Sequence, residues 1–320
     1  MPSPSASLAY PRLDLGAAFE QFDLEMNRRG FISHQVLPIF DTPLQANAYP
    51  IIPIEQMLQN RELLRAPGAS YSRGKWTFKS DGYACQEYGT EEPVDDREAA
   101  MYRTMFDAES VATMRALEAL LNGAEQRAVS LLTDTNVITQ TAAASVAWST
   151  PATATPITDF NTARNAVWAS TGIWVNAIVM SRNKFNHLRE CAQIIDRIKS
   201  NANYKVLNGE ITEAMLATAF DVDRIIVSGA AKNTAKEGQT ATVASTWTDS
   251  NVLVCRVATT NDVREPCIGR TFHWAEDGSQ PLGQVEMYRD ESIRSNVIRV
   301  RHDVVEKVMY AKAGYLITGA

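Results

Sequence analysis

Apolar side chains along the chain fall into four successive patterns. In residues 1–54 they are scattered: Phe31, Ile32, Val36, Leu37, Ile39, Phe40, Ile51 and Ile52 lie among Pro2, Pro4, Pro11, Pro38, Pro43, Pro50 and Pro53. Repeated proline interrupts helix and strand alike. A solvated tail is poor in Ile, Leu and Phe, so this stretch reads as an extended arm laid across another surface rather than a floppy tail. At 75–89, "KWTFKSDGYACQEYG" reads as two short strands around a Lys79–Gly82 turn, carrying Trp76, Phe78, Tyr83 and Tyr88. From Arg97 to Leu132 the chain has no proline, and Met101, Met105, Ala108, Ala112, Leu117, Leu120, Leu121 and Ala124 recur at helical spacing. Asp95 with Glu98 fits a capping box, and the acids there suit the positive end of a helix dipole. A helix of ~36 residues would be ~54 Å long. Asn122-Gly123 is the place where it would bend or break.

The fourth pattern alternates helix and strand. After a Thr/Ala/Ser-rich connection at 134–156, "TDFNTARNAVWAS" predicts a helix and "NAIVMS" a buried strand. "SRNKFNHLRECAQIIDRI" predicts one helix capped by Ser181, and "GEITEAMLATAF" another. "DRIIVSG" and "SNVLVCRVA" are strands on either side of a polar loop, "KNTAKEGQTATV". This is a compact α/β unit of about 120 residues, on the scale of a domain. The C-terminal stretch returns to strands, ending with "KVMYAKAGYLITG" in an antiparallel set.

Composition narrows the function classes. The 320 residues carry a formal net charge of -6, which argues against a protein that grips phosphate backbones. Cys85, Cys191, Cys255 and Cys267 form no CxxC and no framework spacing, a reduced-thiol pattern. The sequence has neither a signal-peptide pattern nor an apolar run long enough to span a bilayer. A soluble protein made inside the cell, without membrane contact, is expected.

Candidate chemistry is sparse. Phosphate-loop and nucleophile-elbow motifs are missing. His187 and Cys191 share a predicted helical face, but a zinc site needs three or four ligands. His34, His273 and His302 lack partners at ligand spacing. Cys85 reads as a packing residue. Glu91, Glu92, Asp95, Asp96 and Glu98 form an acidic elbow between hairpin and helix, with Arg289, Arg294, Arg299 and Arg301 as candidate salt-bridge partners. Helix capping and ion pairing explain such an elbow better than acid/base catalysis. Neither catalytic residues, cofactor nor metal are expected.

A lone two-stranded hairpin has no core of its own. Each aromatic ring taken out of water is worth several kcal/mol, at ~25 cal/mol per Å² over 150–250 Å². Arm and hairpin therefore imply a subunit that is incomplete alone and packs on neighbouring copies. Within "YSRGKWTFKSDGYACQEYGTEEPVDDREAAMY" and "DESIRSNVIRVRHDVVEKVMYAKAGYLITG", the chain resembles a tailed-bacteriophage major capsid protein of the Hong Kong 97-type fold, which encapsulins share.

That resemblance implies an α+β fold with an N-terminal arm (1–54), an extended loop (55–93) whose tip lies near Lys79–Gly82, and a peripheral domain (94–150 and 283–320) built on a spine helix. An axial α/β domain (151–282) completes it. It implies pentamers and hexamers closing an icosahedral shell around double-stranded DNA, which the wall contains without sequence-specific binding. Inter-subunit packing would fall to Trp76, Phe78, Tyr83 and Tyr88 of the loop and to Phe31, Ile32 and Phe40 of the arm. Inter-subunit salt bridges would use Glu91, Glu92, Asp95, Asp96, Arg294, Arg299 and Arg301. Because only about 70 residues precede the hairpin, a separate scaffolding protein is expected, with a portal and a decoration or cement protein as further partners. Lys75 and Lys79 lie in the loop, yet no acceptor Asn or assisting Glu is matched, so a non-covalent shell is expected. The location implied is the virion, after assembly in the host cytoplasm. Two readings stand beside this one: an encapsulin compartment around a cargo enzyme, and a soluble enzyme on residues 151–282 using His187 with Cys191 or a nearby carboxylate.

Overall fold

Two sheets organise the chain, and each mixes strands far apart in sequence. The computed structural model describes residues 10–11, 30–51, 53, 56, 58–61, 63–75, 77, 79–102, 107–200, 211–236 and 238–320. In order, the first elements are β1 (Tyr10–Pro11), α1 (Ser33–Val36), β2 (Ile39–Thr42), β3 (Ala46–Ile51), β4 (Lys79–Ala84) and β5 (Gln86–Asp95). Then come α2 (Asp96–Tyr102), α3 (Ala108–Leu132), β6 (Thr141–Ala143), α4 (Pro156–Thr171), β7 (Ala177–Ser181), α5 (Arg182–Glu190) and α6 (Ala192–Lys199). α7 (Glu213–Phe220), β8 (Arg224–Ser228), β9 (Ala231–Asn233), β10 (Val243–Ser245) and β11 (Asn251–Cys255) follow. β12 (Gly269–Trp274), β13 (Gln284–Asp290), β14 (Ser295–Val308) and β15 (Gly314–Thr318) end the chain. The architecture is α+β.

Strand β14 is the spine of the first sheet. It pairs antiparallel with β13, with β12 and, along residues 295–304, with β5. Helix α3 lies on this sheet, packing Ala112, Ala116, Leu117, Leu120 and Leu121 against Val94, Val285, Met287, Ile298 and Val300. The single long helix predicted from 95 is two helices. Asp95 caps α2 by accepting from the Arg97 amide at 2.8 Å. Asp107 starts α3, accepting from the Glu109 amide at 3.3 Å and the Ser110 hydroxyl at 2.6 Å. At 25 residues, α3 spans about 37 Å. It runs unbroken through Asn122-Gly123, because its packed flank holds the glycine helical.

The second sheet has the order β6-β15-β11-β7-β8. Helices α4 to α7 pack on one face around Trp148, Phe160, Leu188, Ile194, Leu216 and Phe220. The other face meets α1 and the end of α3 through Val36, Leu37, Ala128, Val129 and Leu132. Three details differ from the pattern-based expectation. The stretch 181–198 is two helices, because Cys191 adopts an extended conformation (φ -63°, ψ 127°) and ends α5. The polar loop at 232–243 carries a short hairpin, β9 with β10. The final strand β15 pairs with β11 and β6 rather than joining the C-terminal antiparallel set, while β12 joins β14 in the first sheet. Each sheet therefore draws on strands from both sides of the expected boundary at 282.

The leading segment and ribbon also differ. β4 does not turn back at 79–82: Lys79 to Ala84 pair antiparallel with Ile51 to Ala46. Local periodicity cannot reveal a partner strand so far upstream, and Asp81-Gly82 imitates a turn. After Gly30 the arm folds onto its own chain. Gly30 adopts φ 75°, and an added Cβ there would collide with the Gly229 amide. Beyond it, β2 pairs parallel with β12.

Candidate assembly surface

Strands β3 and β4 form an isolated two-stranded ribbon about 20 Å long at the usual rise per strand residue. Its root is aromatic: Tyr83 stacks on Phe272 at 4.6 Å, Tyr49 at 5.3 Å, and Phe40 meets the same ring edge-on at 5.9 Å. The described residues between the strands, the tip, contact one another. Gln56 and Thr77 bond reciprocally. Arg65 donates to Ala69 O at 2.6 Å and lies over the Tyr71 ring at 4.9 Å. The Arg61 guanidinium rests where a Cβ on Gly74 would stand. On this tip Leu63, Leu64 and Tyr71 are 84%, 87% and 70% exposed. Two adjacent leucines shown to water beside Arg61 and Arg65 form an exposed apolar patch of the kind that marks interaction sites.

Several residues assigned to inter-subunit packing are already sheltered by their own chain. Phe31 lies in the α3 core and Ile32 in the α1 core, both buried. Tyr83 is buried at the ribbon root and Phe40 is half-buried there. Tyr88 lies under the Arg127 guanidinium at 3.8 Å and edge-on to His302. All five thus have packing partners within their own chain. Trp76 and Phe78 lie outside the described residues.

The ion pairs are likewise intramolecular. Arg289 grips Asp96 with both terminal nitrogens at 2.6 Å, and these bonds hold the Asp96 carboxyl below its ordinary range. Arg299 meets Glu286 at 2.5 Å and Glu91 at 4.0 Å, and Glu91 also accepts from Tyr288. Glu92 pairs with Arg115 at 3.5 Å. Asp95 serves as the α2 cap. Arg294 takes a left-handed conformation (φ 50°) in the β13–β14 turn, where its carbonyl accepts from the Asp96 amide. Arg301 pairs with Glu286, Asp277, Asp303 and Glu87. The cross-strand register of β5 on β14 brings these groups together.

A residue missed by sequence reasoning holds three parts of the molecule together. Glu125 of α3 is fully buried. It accepts from the Ile32 amide at 3.2 Å, the Ser33 amide at 2.8 Å and the Trp247 indole at 2.5 Å. The arm, the helix and the β10–β11 connection thus meet at one carboxylate. Its signal was present: an acid four residues after Leu121 and four before Val129 sits on the apolar stripe.

The residues of the enzyme reading do not make a site. Cys191 lies past the end of α5, its thiol directed at the His187 carbonyl at 3.3 Å and pushed up to about 11 by burial and by Glu190. The His187 Nδ1 is buried without a partner. His273 pairs with Asp41 at 2.8 Å and Ser279 at 3.1 Å. Among the described residues, no three His, Cys, Asp or Glu side chains are grouped to hold a metal ion, and no described helix is long and apolar enough to cross a membrane.

Neither a protein-family model nor a curated protein matches the sequence. The three-dimensional structure does find similar ones. A phage-related protein from Bordetella bronchiseptica aligns over 97% of both chains with TM-score 0.70 and 20% identity. A virus-like particle from Pyrococcus furiosus aligns over 95% of this chain and 97% of its own, with TM-score 0.57 and 13% identity. The capsid of cyanophage P-SCSP1u aligns over 88% and 86%, with TM-score 0.57 and 11% identity. The chain has the Hong Kong 97-type capsid fold.

Proposed function

We propose that this chain is the wall protein of a closed icosahedral shell, assembled from pentamers and hexamers of identical copies around double-stranded DNA. The observation that carries the reading is the tip: Leu63 and Leu64 stand almost wholly exposed on a loop with contacts from Arg61, Arg65 and Gln56. Among the described residues, Phe31, Ile32, Tyr49 and Tyr83 are buried by their own chain whereas Leu63 and Leu64 are not, which favours the tip as the place where a neighbouring copy docks. Its basic residues, Arg61, Arg65, Arg73 and Lys75, contrast with a net charge of -6 for the whole chain, which favours attraction between copies. The overall acidity suits a wall that contains DNA without gripping it. The shell role requires no catalysis. The location that goes with it is the virion, with a scaffolding protein and a portal as partners.

Electron microscopy of the expressed protein tests this. Closed particles are expected for the wild type, and Leu63→Asp with Leu64→Asp should give folded chains and no particles. Particles that persist in the double variant would refute the assigned docking role, and a wild type that never exceeds a dimer would refute the shell. Nuclease-protected DNA in particles made beside their genomic neighbours separates the phage reading from an encapsulin-type compartment, which would hold a protein cargo.

A further inference from the structure

Where the ribbon enters the body, the register of β5 on β14 places Glu87 directly opposite Asp303. Like charges so placed repel. The β12–β13 loop adds a third carboxylate: Asp277 stands 2.7 Å from Arg301 Nη1, and Asp303 stands 3.3 Å from the same nitrogen. Glu87 is 3.9 Å from it. Glu286 of β13 holds Arg301 Nε at 3.0 Å and is itself held by Arg299, which also faces Glu91. Five acids thus face two arginines. The side chains of Asp303 and Asp277 are only 4% and 11% exposed, so water screens them poorly. Cys85, at the junction of β4 and β5, also faces Asp303; burial and that carboxylate push its thiol up to about 11. From β12, His273 holds the Ser279 hydroxyl of the same loop, and from β14 His302 donates to Pro281 O at 3.1 Å.

We propose that Asp277 and Asp303 hold one proton between them as a latch, which pins the 275–283 loop and the start of β5 to β14 and loosens both when that proton is lost. Two carboxylates on one guanidinium nitrogen, with a third opposite, leave an unbalanced negative charge that a retained proton relieves. Burial and the facing Asp277 push Asp303 up to about 7. Although burial opposes it, hydrogen bonds from Asp303, Ser279 and Arg301 hold Asp277 below the ordinary range. A carboxyl whose proton affinity rises on folding contributes stability that is complete below about pH 4 and disappears as pH climbs through about 7. The latch stands at the root of the ribbon, opposite Glu87 two residues past Cys85, so its release frees the ribbon to change angle against the body. This is a property of the single chain and does not depend on assembly.

Hydrogen exchange of the full-length protein at pH 6 and pH 9, with times scaled for the intrinsic rate, tests it. In the wild type, peptides covering 84–90 and 275–283 should lose protection at least tenfold at pH 9, while a peptide over 156–171 should not change. Asp303→Asn, which keeps the shape but cannot ionise, should keep protection at both pH values. Glu87→Gln, at an exposed position, should narrow the difference, and it decides the matter where Asp303→Asn fails to fold. Equal protection at both pH values in the wild type overturns the latch. So does a Glu87→Gln difference as large as the wild type's, or a loss spread equally over 156–171.

Discussion

A single carboxylate shows how much one position can hold. Glu125 accepts from two arm amides and an indole in a dry site. Removing an acceptor leaves each buried donor with a penalty of about 1–3 kcal/mol. Glu125→Ala should therefore cost about 3 kcal/mol or more in urea denaturation of the unassembled chain. Glu125→Gln, which retains one acceptor oxygen, should cost less. Equal midpoints for wild type and Glu125→Ala would refute the clamp. His302 gives a second residue-scale expectation. Burial and the nearby Arg127 pull it down to about 4. A histidine whose folded pKa is depressed contributes stability that is present above about 6.5 and is lost as pH falls through about 4. Thermal midpoints should drop over that interval, and His302→Gln should flatten the drop. An unchanged slope in the variant would count against this assignment.

Among the elements, capping decides where helices begin. Asp107 supplies the start of α3 after the α2 segment. Asp107→Ala should cost about 1 kcal/mol, read as a lower urea midpoint with an unchanged slope. Apart from the break at Cys191 and the β9–β10 hairpin, the predicted helix and strand segments from 156 to 255 survive with small boundary shifts, because their periodicity and caps, such as Ser181 on the Lys184 amide, are local. The supposed hairpin at 75–89 fails for the opposite reason. β4 and β5 belong to two different sheets, paired with β3 and β14, and nothing within fifteen residues records either partner. Arg299 and Arg301, read from the sequence as inter-subunit salt-bridge formers, pair within the chain with Glu286 and Asp277, which lie across a strand and a loop.

For the molecule as a whole, the proposed docking tip lies outside the packed cores of the two sheets. The ribbon strands pair with each other, and both sheets pack without the tip. Replacing residues 58–75 by a short Gly/Ser connection should leave the circular dichroism spectrum and thermal midpoint near those of the wild type and yield no particles by sedimentation. A variant that unfolds would show that the tip is part of the core; one that still forms particles would show that it is not the docking element.

The sequence by itself determined the local elements, their caps, the amphipathic face of α3 and the resemblance to a capsid-type chain, because these depend on spacing within a few turns. Tertiary structure decided which strands share a sheet, that the arm from Gly30 onward folds home, and that Glu125 and the Arg301 cluster exist as sites. Those outcomes depend on groups dozens to hundreds of residues apart reaching hydrogen-bond distance, and only the closed fold sets that distance.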